Sequence, residues 1–127
     1  MGNIGNLYSL LHRWQEARAA LEQAISLCDQ RIPAASGAFK GTLAYVVVQD
    51  GLYEEALSLL SEGEEQVKVM PEEYGKFLCK KVKVFHQMEL KKEAQEAFRT
   101  VKELTEKRNI KKDSALFAEI QAAKNLL

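Results

Sequence analysis

Apolar residues in "LHRWQEARAALEQAISLC", Leu11 to Cys28, recur three, four and seven positions apart. Trp14, Ala17, Leu21 and Ala24 therefore share one face of a helix. The same beat returns in "YEEALSLLSEG", residues 53 to 63, as Tyr53, Ala56, Leu60 and Gly63. A third copy carries Ala94, Phe98 and Val101. Aligned on Ala17, Ala56 and Ala94, the copies lie 39 and 38 residues apart. A glutamate precedes each alanine: Glu16, Glu55 and Glu93. Tyr8, Val47 and Phe85 stand nine positions before, and Gly5, Ala44 and Val82 twelve before. Recurrence at a fixed period marks stacked supersecondary units. The small residue admits a neighbouring helix, and the large one a turn later fills the space beside it.

The polar and breaker residues between the apolar runs divide each unit into two antiparallel helices. The pattern predicts helices over 2–11 and 14–31, then 34–49 and 53–69, then 71–88 and 91–107, and a last one over 114–125. Asp50-Gly51 marks the turn of the second unit, with Gly51 suited to a helix end. Pro33 and Pro71 suit first helical turns, and Glu72 and Glu73 favour a positive helix N-terminus. Asp113 or Ser114 can cap the last helix, whose apolar stripe is Leu116, Ile120, Ala123 and Leu127. Gly37 and Gly41 read as points of close helix contact rather than as a phosphate loop. "YVVVQ" is the one β-favouring stretch, and it sits inside a helical pattern.

These residues resemble the tetratricopeptide repeat (TPR) family. Ile4-Gly5 stand at its Leu-Gly, Tyr8 at its aromatic, Ala17 at its alanine, Leu21 at its large residue and Ala24 at its second small one. Trp14 and Tyr53 match the aromatic that opens the second helix. The third unit departs, with Lys81-Val82 for Leu-Gly and its hydrophobe, Leu90, one residue early. The longer period is similar to the branch found in kinesin light chains and bacterial signalling regulators. The resemblance implies an all-α fold: a right-handed α-α superhelix of about three helix-turn-helix repeats plus a C-terminal capping helix. The repeats fall at about 1–33, 34–70 and 71–109, with the capping helix at about 114–127, in a single domain. A short first helix and the apolar ending "NLL" are read as signs of a fragment of a longer protein.

Composition narrows the functions. Eighteen basic residues balance eighteen acidic ones, so overall charge makes no case for nucleic acid or an anionic membrane. The apolar run "TLAYVVV" is far short of the roughly 20 residues of a membrane span. Two cysteines, Cys28 and Cys79, are too few for a disulfide framework and fit a reducing, cytoplasmic setting.

Catalytic chemistry has no foothold in the pattern. His12 and His86 lack partners at metal-ligand spacing, and neither cysteine sits in a nucleophile motif. The expectation is a protein that is no enzyme and takes no metal or cofactor. The TPR resemblance implies a concave groove lined by the first helix of every unit. Its candidate residues are Asn3, Asn6, Thr42, Tyr45, Gln49, Lys76, Lys80, Lys83 and His86, with Ala38, Gly41, Val48, Cys79 and Gln87 beside them. Three lysines on one helix face, next to an apolar floor, suit an acidic protein or peptide partner. The carboxylate clamp of chaperone-binding members is only half present. Asn6, Lys76 and Lys80 match it, while Gly2 and Thr42 replace a lysine and an asparagine. The competing function is a structural spacer or self-association segment of a larger regulator, with a homodimer through exposed ends.

Overall fold

The computed structural model describes residues 4–108 and 115–127, with side chains from Arg13 to Lys107 and from Ala115 onward. It is an all-α helical repeat: α1 (Ile4–Cys28), α2 (Pro33–Gln49), α3 (Tyr53–Val67), α4 (Pro71–Gln87), α5 (Lys91–Arg108) and α6 (Ala115–Leu126). No strand occurs among the described residues, and "YVVVQ" lies within α2. The pairs α2–α3 and α4–α5 form two helical hairpins in close contact, with α1 packed on α2 and α6 on α4.

The two hairpins are copies down to their backbone hydrogen bonds. Pro33 and Pro71 occupy the first turns of α2 and α4, where a missing N–H leaves no bond unmade. At the end of α2 the Gly51 N–H donates to the Val48 carbonyl and the Leu52 N–H to the Val47 carbonyl. At the end of α4 the Glu89 N–H donates to His86 and the Leu90 N–H to Phe85. Both are Schellman ends, and both need a left-handed residue at the turn. Gly51 supplies it with φ 76° and Glu89 with φ 61°. Leu90 is thus not an early hydrophobe. It is the counterpart of Leu52, and Lys91 the counterpart of Tyr53.

The first unit differs from expectation. Residues 2–11 and 14–31 do not form two helices: α1 is one continuous helix of 25 residues. The repeat register gives the reason. His12 stands where the other units have Gly51 and Glu89, and Arg13 where they have Leu52 and Leu90. A non-glycine can make the left-handed turn, as Glu89 does, but Arg13 supplies no apolar clasp, so the helix stop is incomplete and α1 runs on. The Asp113 or Ser114 cap falls outside the described residues.

Packing follows the repeat in the two hairpins. Ala56 and Ala94 are fully buried, as are Ala44 with Val82 and Val47 with, nearly so, Phe85. Ala17, their counterpart on α1, is only half-buried. Gly37 and Gly63 bring α2 and α3 together, since a Cβ on Gly37 falls 2.6 Å from the Gly63 carbonyl oxygen. A Cβ on Gly41 falls 2.6 Å from the Phe77 ring, which locks α4 onto α2. Glu64 ties α3 to α4 by accepting hydrogen bonds from the Tyr74 hydroxyl at 2.7 Å and the Lys81 ammonium at 2.6 Å. Burial, with Glu64 beside it, pushes the Tyr74 hydroxyl pKa up. On α6, Leu116, Ile120 and Ala123 are buried against the last hairpin, while Leu127, just past the helix end, is exposed.

Candidate functional site

Helices α2, α4 and α6 lie side by side with their chains running the same way. Gly41 at the middle of α2 meets Phe77 in the first half of α4, and Gly75 near the start of α4 meets Leu116 at the start of α6. Further along, Gln49 and Gln87 exchange amide hydrogen bonds of 2.8 and 2.9 Å. Lys83 reaches Glu119 across α4 and α6 at 3.3 Å. The leading helices therefore form one face with two crevices.

The α2–α4 crevice holds a cavity of about 200 Å³ lined by Ala38, Thr42, Glu73, Lys76, Phe77 and Lys80. Lys76 and Lys80 stand one helical turn apart, so both ammonium groups serve the same space. Lys76 has Glu73 at 3.6 Å. Among the described residues Lys80 has no ion pair or hydrogen bond. Its floor is apolar, because Phe77 is buried there against Gly41. A second, mainly apolar cavity of about 320 Å³ adjoins it, lined by Ile32, Ala35, Ala38, Phe39 and Met70. Over α4 and α6 a third, of about 250 Å³, is lined by Tyr45, Lys83, His86, Gln87, Ala122 and Leu126. Tyr45 also makes a T-shaped ring contact with Trp14 of α1, ring centres 6.2 Å apart.

The structure brings the sequence candidates together in two groups. Thr42, Lys76 and Lys80 share the α2–α4 cavity. Tyr45, Lys83 and His86 share the α4–α6 one. Gln49 sits at the seam with its amide engaged by Gln87. Asn3 lies outside the described residues, and Asn6 falls in α1 with its side chain outside them.

Three expected groove residues are corrected. Gly41 is covered by Phe77, and Val48 and Cys79 are buried in the core. Gly41 faces the neighbouring hairpin through Phe77, and Val48 and Cys79 lie on inward stripes of their helices. Burial, and then the charge of Glu119, pushes the Cys79 thiol up to about 12, so it stays protonated and unreactive at neutral pH. Residues missed in the sequence are Ile32 and Met70, each one position before a helix-opening proline, together with Phe39, Glu73, Ala122 and Leu126. The prolines were the available signal for the first two.

Among the described residues no three His, Cys, Asp or Glu side chains converge as a metal site, and no helix is long and apolar enough to cross a membrane. Comparison with family models, with curated proteins and with solved structures finds no match to this chain.

Proposed function

We propose that the chain is a TPR-like, noncatalytic module that binds an acidic peptide segment of a partner protein along the face of α2, α4 and α6. The observation that carries this reading is Lys80. It lines a crevice with an apolar floor and has no counter-charge of its own among the described residues. A carboxylate in the crevice supplies that charge, with Lys76 one turn away as the second donor. Lys83 is less available, because Glu119 already holds it at 3.3 Å. The groove sits on helices fixed by buried contacts, so the partner meets a preformed surface. The free, buried thiol of Cys79 suits a reducing compartment, and we place the module in the cytoplasm.

Selection of a random peptide library on the purified chain tests the proposal. Enriched peptides should carry Asp or Glu and weaken with added salt. A Lys76→Glu/Lys80→Glu variant with an unchanged helical spectrum should lose them. Enrichment of basic or purely apolar peptides, or equal enrichment by the variant, rejects the reading.

A further inference from the structure

The crevice at Lys76 and Lys80 does not end at its lysines. Toward the starts of α2 and α4 it continues into the apolar cavity of about 320 Å³. Ala38, Phe39 and Glu73 line both spaces, so the two are consecutive parts of one groove. Ile32 and Met70, the residues just before α2 and α4, wall its far end. Within the chain these two stay 56% and 46% exposed, and Phe39 is only half-buried. An apolar side chain that enters this space takes its own surface and theirs out of water.

The spacing of the two parts sets the spacing of their ligands. From the apolar part to the lysine part the lining advances by roughly four residues along each helix, about 6 Å at 1.5 Å per residue. An extended peptide points every second side chain the same way, and such neighbours stand about 6.6 Å apart. A peptide carboxylate at Lys80 therefore places the side chain two positions away over the apolar cavity. Glu73 stands where the parts meet, with its carboxylate 3.6 Å from the Lys76 ammonium. A second acidic side chain, entering the apolar part, leaves water and meets this like charge. Glu73 thus works against the wrong register as well as neutralising Lys76 in the empty groove.

We infer that the groove reads a two-part motif, a bulky apolar residue two positions from an Asp or Glu, and that Glu73 bars acidic residues from the apolar position. The inference rests on the acidic-peptide reading and narrows it: a run of acidic residues is a poor ligand, and a single one beside an apolar anchor is a good one.

Selection of the same random peptide library on the native chain and on two variants tests this, read as residue preference at each position relative to the acidic one. The native chain should enrich Leu, Ile, Met or Phe two positions from the Asp or Glu and exclude Asp and Glu there. Ile32→Ser/Met70→Ser strips the far wall of the apolar cavity. Serine is favoured at both positions, the caps of α2 and α4, so the fold is kept. This variant should keep the acidic preference, lose the apolar one, and bind the native-selected peptides about tenfold more weakly by fluorescence anisotropy. Glu73→Gln should admit Asp or Glu at the apolar position. Acidic peptides without an apolar preference at that spacing overturn the motif and leave the acidic-peptide reading standing. An apolar preference that survives in the serine variant overturns it equally. Unchanged exclusion of acidic residues by Glu73→Gln overturns the part assigned to Glu73. A native chain that selects no acidic peptides at all rejects the underlying reading, and the motif with it.

Discussion

Two residues with different side chains do the same backbone job at the ends of α2 and α4. Gly51 adopts φ 76° freely, while Glu89 is held at φ 61° by the same hydrogen bonds. Glu89→Gly should therefore raise the unfolding free energy by about 1 kcal/mol, and Gly51→Ala should lower it by about as much. Urea denaturation of both variants measures this; a destabilised Glu89→Gly contradicts the shared turn geometry. Burial separates the repeat alanines in the same way. Ala56→Glu places a charge where nothing is exposed and should cost several kcal/mol, whereas Ala17→Glu, at a half-buried site, should cost clearly less. Thermal melts showing equal losses contradict that ranking.

A further residue-scale effect depends on pH. The hydroxyl of the fully buried Ser36 donates to Asp29, and with Lys40 nearby it holds that carboxyl below its usual 3.8. A depressed folded pKa means stabilisation present above the unfolded value and lost as pH falls through the folded one. Ser36→Ala should move the Asp29 titration, followed by carboxyl NMR, up toward 3.8. Its stability deficit at neutral pH should shrink in acid. An unmoved titration would show that the hydroxyl is not the cause.

At the scale of elements, the periodicity in the sequence located five of the six helices to within two residues at nearly every end. Proline and glycine mark where α2, α4 and the turn at Gly51 must begin or stop, and that information is local. The error at α1 arose because the alanine beat implied a hairpin, while a hairpin requires a stop that His12-Arg13 leaves incomplete. Helix pairing beyond the hairpins combines close apolar contacts, Gly41 with Phe77 and Gly75 with Leu116, with polar ties between residues far apart in the chain, and the latter were not readable. Glu64, which joins α3 to α4, is such a tie. Glu64→Ala leaves the Tyr74 hydroxyl and Lys81 without their acceptor and should cost about 1–3 kcal/mol. Chemical denaturation checks this, and a change within a few tenths of a kcal/mol would mean that apolar contacts alone hold the two helices together.

For the whole molecule, the parallel run of α2, α4 and α6 turns a one-dimensional repeat into a surface. The sequence indicated which helices face it and placed Lys76 and Lys80 on one stripe. It could not show that Cys79 and Val48 point into the core, because both faces of a leading helix are apolar in places. Nor could it show that Lys83 and Gln49 are engaged by Glu119 and Gln87, since those partners lie 36 and 38 residues away. What distinguishes Lys80 is the lack of such a partner among the described residues, a property of the assembled crevice alone. Backbone amide NMR of the chain, titrated with an acidic peptide from the library selection, tests this account most directly. It predicts shifts concentrated at Thr42, Lys76 and Lys80 and their neighbours on α2 and α4. Shifts confined to α1, α3 or α5 would contradict it.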